Sequence, residues 1–430
     1  MHPTNHPANR KLLRYLCLLL LLFQVTAGNA QGEWNNWFFG DFAGLSFQSN
    51  PPSVLLNAGL GGIGGTAVAS DSAGQLLFYS NSSNIYNRNH TLMYNGNNVG
   101  ISMGWLASAV FAAPFVGNDK LYYLFTFNYV PTTGFGLFYN VIDMQLDQGL
   151  GGVVPGQKLL PVVGGESASP YIFGIRHQNK HDFWLICSNN NYNSTIPNKY
   201  LAFLVDKNGI HLPVVSYSNI SIPQGHLDRF VAINQAGTDL IGQSAFRRME
   251  RCHFDASTGV ITPLYTFQIA GGATSDALMC FSWSGKKLYI SHRYGVLPNC
   301  AYYLYQWDAS LTDSAAFVNS MIKIMGYNYY GMLSLGKDSK IYITKIHDGM
   351  SGGSVDSLSI IHDPEQRGAL CNFEENGIDL QGRLSGDHLP LFLQRYFAYI
   401  NHAGGLCQGM PVTFEPNTWP PPDSLWWNFG

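Results

Sequence analysis

The feature that most constrains this chain is a spaced repeat of strand pairs joined by short polar turns. Six pairs can be read: TAVASD-SAG-QLLFYS, SAVFAAPF-VGNDK-LYYLFTF, YIFGIRH-QNKHD-FWLICSN, RFVAIN-QAGT-DLIGQSAF, ALMCFSW-SGKK-LYISHR and YGMLSLG-KDSK-IYITKI. Apolar runs supply the strands, and clusters of Gly, Asn, Asp, Ser and Lys supply the turns. The second strands begin near Leu76, Leu121, Phe183, Leu240, Leu288 and Ile341, so successive pairs are offset by 45, 62, 57, 48 and 53 residues. A third apolar segment follows several pairs, as in GLFYNVIDM (136–144), YLAFLVD (200–206), AYYLYQWD (301–308) and SLSIIHD (357–363). Three or four strands every ~40–60 residues is the signature of a propeller blade. The spacing predicts an all-β propeller.

Both ends of this array are incomplete. Near the amino terminus, NNWFFGDFAGLSF (35–47) and SVLLN (53–57) look like outer strands lacking an inner one. Near the carboxyl end, HLPLFLQRYF (388–397) looks like an inner strand lacking outer ones. Joining them makes one further blade from the two ends and leaves no open sheet edge. Seven blades are therefore expected, with six or eight as the margin and little helix. A β-sandwich array is the rival, but it gives no reason for two incomplete ends.

Composition fits this reading and removes several functional classes. Among 430 residues, Lys+Arg 24 against Asp+Glu 27 leave a net charge of −3, so no basic stripe is available for nucleic acid. Charged residues are 12% of the chain, about half the usual share, while 46 Gly and 24 Tyr accompany 46% hydrophobic residues. That is ample apolar surface for a core.

The first thirty residues read as an export signal. Arg10, Lys11 and Arg14 precede the apolar run Tyr15–Val25, and the small residues Gly28 and Ala30 precede Gln31 as the expected new terminus. An apolar run of eleven residues is short of the ~20 that span a bilayer. The expected domains are a signal peptide (1–30), a propeller (31–400) and a segment (401–430) in which the chain breaks off inside a second domain. The expected address is secreted or at the outer cell surface, reached through the periplasm, with no membrane span after cleavage.

Six cysteines remain after such cleavage, and six allow fifteen full pairings. Cys187 and Cys280 sit in apolar strand-like runs and read as buried thiols. Cys371 and Cys407 flank the end of the main domain and form the preferred bridge. No CxxC spacing suggests zinc or a redox pair.

Several phrases, taken in order, resemble the amino-terminal β-propeller of Bacteroidota gliding-motility-associated, type IX-secreted surface proteins. They are WFFGDFAGLSF, DSAGQLLFYSN followed by IYNRNHTLMYNG, GLFYNVIDMQLDQGLG, HQNKHDFWLI, LSLGKDSKIYIT, and HDPEQRGALCNF followed by LPLFLQRYF, spanning about residues 33–399. The terminal CQGMPVTF and DSLWWNFG resemble the opening half of a PKD-type immunoglobulin-like domain. The family commonly continues through PKD repeats to a sorting domain, which the present sequence lacks. Three positions depart from the family pattern: Tyr86 stands where Trp is usual, His388 where Gly is usual, and Leu391 where Asn is usual. The resemblance implies an adhesion or interaction protein and transfers no catalytic residue.

Candidate sites read from the residues are sparse. The NRNH phrase is the densest polar cluster; Arg88 and His90 are its candidate binding residues at a propeller mouth, against a purely structural Asn-rich turn. His177 and His181 have the spacing of a zinc pair but lie in a turn, where the helical geometry such a pair needs is absent. Asp71–Gly74 reads as a turn. Arg247, Arg248 and Arg251 are too close to converge from different blades, and Glu250 among them suggests a solvated strand edge. Glycoside hydrolysis needs two opposed carboxylates, for which Glu166, Asp228, Glu250 and Asp348 are conceivable. Residues 348–356 offer Asp348, Ser351 and Asp356 oxygens without a calcium-loop spacing. GLGGIGG (59–65) precedes a strand rather than a helix, so it is a loop and not a phosphate cradle. No catalytic set, metal or cofactor is expected. The reading favours a non-enzymatic binding platform for polysaccharide, surface glycan or protein. A carbohydrate-active hydrolase or lyase working in the funnel is the alternative, and a passive spacer is a third.

Overall fold

The computed structural model describes residues 32–62, 64–101, 110–189, 198–220, 231–243, 248–269, 277–294, 301–327, 329–347, 355–393, 397–403 and 413–419. Among the described residues seven antiparallel sheets of three to five strands follow one another along the chain, beside two two-stranded pairs, Tyr329–Tyr330 with Ile346–His347 and Phe397–Ala403 with Thr413–Trp419. The first holds Asn36–Phe39, Ala43–Ser46 and Ser53–Leu55; the second holds Ala67–Ser70, Leu76–Ser80 and Ile85–Asn87. The third begins with Val110–Phe115 and Asn118–Val130, and the fourth with Phe173–Arg176 and Phe183–Ser188. The fifth, sixth and seventh begin with Val231–Ile233, Ala277–Phe281 and Leu333–Leu335. The innermost strands of sheets four to seven touch in order, and Ala67–Ser70 bridges the first and third sheets. The chain is a seven-bladed β-propeller, as the spacing predicts.

Strand positions follow the sequence closely. The second strands begin at Leu76, Asn118, Phe183, Asp239, Lys287 and Ile341. Each is fixed by a hairpin turn whose polar residues bond their own backbone: Asn234 Oδ1, for example, accepts from the Thr238 and Asp239 amides at 2.9 and 3.2 Å. Every residue of Phe183–Ser188 and of Ser357–Ile361 is buried. A blade packs against a neighbour on both faces, so its middle strands read as continuous apolar runs rather than alternating ones. The short helix Ser314–Asn319 interrupts the sixth blade, with Asp313 capping the Ala316 amide at 2.8 Å.

The carboxyl end closes the ring. Asp41 and Leu384 exchange backbone hydrogen bonds of 2.9 and 3.2 Å at one end of the first sheet. From there residues 388–393 run along its inner side to Trp34, whose Nε1 donates to the Leu393 carbonyl at 3.2 Å. Leu389 and Phe392 join Trp37, Phe39 and Leu45 in one apolar cluster. The segment occupies the place of an inner strand but is irregular backbone, with Pro390 lacking a donor for a ladder. Packing, not a full ladder, makes this junction.

Phe397–Ala403 pairs with Thr413–Trp419 as an antiparallel hairpin, so a strand crosses the expected boundary at residue 400. The expected export signal, Cys407, DSLWWNFG and most of the expected PKD-like segment lie outside the described residues.

Candidate functional site

The axis of the ring is where convergent side chains are expected in a propeller, and here it is divided. Leu391 packs among Tyr171, Ile172, Phe173, Val231, Leu278 and Met332 at the entry ends of the inner strands. It meets apolar clusters on opposite sides of the ring, one containing Phe111 and Leu185, the other Leu333 and Ile341. About 30 Å³ is left there, room for a water and little more. The chain's own carboxyl-terminal segment plugs the channel.

At the opposite end, where each inner strand turns outward, a pocket of about 380 Å³ remains open. Its floor is apolar and aromatic: Trp34, Leu77, Ala112, Met144, Phe392 and Leu393. Trp34 is held by its bond to Leu393 and by stacking on Phe392 at 5.4 Å. The rim is charged, carrying Glu33, Asp71, Asp119, Lys120 and Arg176. Three of these lie about the first hairpins of successive blades: Asp71 just after the first strand of the second blade, Asp119 at the start of the second strand of the third, and Arg176 at the end of the first strand of the fourth. Asp71 Oδ1 accepts the Gln75 amide at 2.8 Å, which makes the turn expected there. Lys120 Nζ meets Asp119 Oδ2 at 3.2 Å in a largely exposed pair worth about 0–1 kcal/mol. Arg176 Nη1 donates to the His181 carbonyl at 3.4 Å.

Tyr122 stands between floor and rim. It is 9% exposed, lines the pocket, and its hydroxyl makes no hydrogen bond among the described residues. Burial, then the neighbouring carboxylates Asp71, Glu33 and Asp119, push its pKa up to about 12. The hydroxyl stays protonated and available as a donor across the physiological range.

The residues expected from sequence are placed elsewhere. Arg88 is exposed and His90 half-buried on a turn after the outermost strand of the second blade, not at the mouth of the axis. The turn is tightly built: Asn87 Oδ1 accepts from the Asn89 amide at 2.9 Å and from Thr91 Oγ1 at 3.1 Å. His90 adopts φ 62°, bonds Tyr79 Oη through Nδ1 at 3.0 Å and Asn57 through Nε2 at 2.7 Å, and burial lowers its pKa. Tyr86 stacks on Tyr79 at 5.4 Å.

Glu250 and Arg251 correct the expectation of a solvated edge. Glu250 is fully buried and accepts from Tyr200 Oη (3.0 Å), Ser218 Oγ (2.8 Å) and the Asn219 amide (2.8 Å). Arg251, on the other face of the same strand, bonds Asp239, Tyr265 and the carbonyls of Ala309 and Leu311, with Phe317 beneath it. A third strand of a blade has neighbours on both faces, so charge there is paired inside rather than solvated. Arg248 is exposed, and Arg247 lies outside the described residues.

His177 uses both ring nitrogens in turn contacts, with the Asn179 amide at 3.0 Å and the Ser257 carbonyl at 3.1 Å. Glu166 accepts the Gly164 amide at 3.0 Å within its own turn. Among the described residues no group of three or more His, Cys, Asp or Glu is arranged to hold a metal ion. Asp228, Asp348 and Ser351 lie outside them, and the Asp356 carbonyl accepts the Leu380 amide. Cys187, Cys280 and Cys371 are free thiols; Cys187 and Cys371 are fully buried, and burial pushes Cys187 up to about 12.

Sequence reasoning missed Tyr122 and the acids around it because Asp71 and Asp119 read as ordinary turn formers. The available signal was their shared place, at the first turn of consecutive repeats.

No protein-family model matches the chain, and no curated protein matches it in sequence. Among solved structures it is similar to a periplasmic gluconolactonase from Pseudomonas aeruginosa, at 10% identity over 82% of this chain and 98% of that one, with a TM-score of 0.48. It is also similar to a protein from Lactobacillus plantarum, at 12% identity over 84% and 96% of the two chains, TM-score 0.44. An exo-β-1,3-galactanase from Phanerochaete chrysosporium gives 9% identity, 72% and 74% coverage and a TM-score of 0.36. None of these likenesses bears on activity.

Proposed function

We propose that the protein is an exported, non-enzymatic interaction protein of the gliding-motility-associated, type IX-secreted kind, with its propeller acting as a binding platform for polysaccharide or surface glycan. The observation that supports this best is the plug. Leu391 and its neighbours fill the axial funnel in which a propeller enzyme would bring opposed groups together. Of the carboxylates considered for hydrolysis, Glu250 is committed to three core hydrogen bonds and Glu166 to its own turn. The export signal at residues 1–30 and the order of the family-like phrases support the extracellular address.

The test is to incubate the full chain with a panel of insoluble and soluble polysaccharides. Retention without release of reducing ends or unsaturated products is the expected result. A second reading, a carbohydrate-active enzyme, has one observation in its favour: Glu33, Asp71 and Asp119 gather over an open pocket. Turnover of any polysaccharide that disappears in Asp71→Asn would replace the platform with that enzyme.

A further inference from the structure

We propose that the pocket lined by the first four blades, at the turn ends of their inner strands, is a saccharide site that takes about one or two rings of a neutral glycan. This rests on the platform reading and gives it a place. A volume of about 380 Å³ lies at the small end of ligand pockets, which run from about 300 to 1,000 Å³. The floor offers the half-buried ring of Phe392, backed by the buried Trp34, and aromatic surface packs well against the C–H face of a sugar ring. The rim supplies planar carboxylate and guanidinium groups from Asp71, Glu33 and Arg176, which pair with neighbouring hydroxyls two at a time. Three acids and two bases leave the lining close to neutral, and Lys120 already sits on Asp119. A strongly charged ligand gains little there, and a fully apolar one would strand the rim.

Tyr122 is the independent pointer. Its side chain is nine-tenths buried, it faces the pocket, and its hydroxyl has no partner among the described residues. The hydroxyl opens into the pocket with its donor unused by the described residues, and a ligand hydroxyl there accepts it.

The experiment uses the full chain with glucose, galactose, mannose, cellobiose and laminaribiose as probes, by saturation-transfer NMR and calorimetry. Wild type is compared with Tyr122→Phe, which removes only the unpaired hydroxyl, and with Asp71→Asn, which keeps an oxygen for the Gln75 amide. At least one probe should saturate, and each variant should weaken it about five- to tenfold with the melting temperature unchanged. Equal affinity in wild type and both variants would overturn the pocket while leaving the platform, since the sugar would then bind elsewhere. Failure of every probe to saturate also overturns it. Retention on the polysaccharide panel then decides the platform separately: retained chain keeps that reading, and unretained chain ends both.

Discussion

His388 sits 4% exposed with neither ring nitrogen bonded among the described residues, and beside it in sequence Asp387 is partly buried. Burial lowers the histidine to about 3 and raises the aspartate to about 7. The two act on stability with opposite sign. His388 binds its proton only in the unfolded chain between about 3 and its ordinary 6.5, so alone it makes stability fall on acidification through that window. Asp387 binds its proton only in the folded chain between its ordinary 3.8 and about 7, so alone it makes stability fall as pH rises. Between about pH 4 and 6.5 the proton counts cancel and the pair contributes no slope. Asp387→Asn removes one side of this balance. Urea denaturation of that variant should show stability dropping from pH 6.5 towards 4.5, at up to about 1.4 kcal/mol per pH unit more than wild type; parallel curves would refute the assignment. At the same scale, Glu250→Ala leaves the donors of Tyr200, Ser218 and Asn219 without their acceptor and should cost about 3 kcal/mol. Glu250→Gln, which keeps one oxygen, should cost less in the same denaturation series. The four-residue stretch 248–251 shows why such roles are hidden in sequence. Alternation tells which residues share a face, but not that both faces of a third strand are covered.

The element scale is where the sequence speaks most directly. Polar turns fix where each second strand starts, and Leu76, Phe183 and Ile341 are met to the residue. What the period does not carry is how two sheets approach each other. Gly174, in the inner strand of the fourth blade, lies under Phe111 of the third: a Cβ built there falls 2.2 Å from the ring's Cζ. Phe111 is fully buried and has nowhere to retreat. Gly174→Ala should therefore destabilise by about 1–3 kcal/mol in chemical denaturation, although Ala is the better strand residue on propensity alone. A neutral result would mean the third and fourth blades can slide apart by a few tenths of an ångström at no cost. The inner segment at residues 388–393 carries the same lesson in reverse. Its apolar run marks it as the missing inner strand, yet Pro390 keeps it from forming a ladder, so its hold on the ring is through Leu389, Phe392 and Leu393.

For the whole molecule, closure makes both the plug and the pocket. Leu391 and Phe392 come from the carboxyl end, Glu33 and Trp34 from the amino end, and Asp71, Tyr122 and Arg176 from three successive repeats between them. No local pattern contains that set, because only bending seven sheets into a ring brings its members together. The candidate site was therefore illegible where the fold was plain, and the one polar cluster that is local, Arg88 with His90, turned out to be a turn on the outer rim. If the ring is held shut at this seam, groups from the two chain ends must be energetically coupled. Trp34 and Phe392 stack at 5.4 Å and test this in a double-mutant cycle. Trp34→Ala and Phe392→Ala should each destabilise the protein, and the double variant should lose less than their sum by about 0.5–1.5 kcal/mol. Each should also lower one common midpoint, seen alike by far-ultraviolet circular dichroism and by tryptophan fluorescence, because tryptophans in the first, fourth and sixth blades then report a single cooperative event. Additive losses with separate midpoints for the two probes would mean the blades stand without the seam, and that the plug is a passenger rather than the closure of the fold.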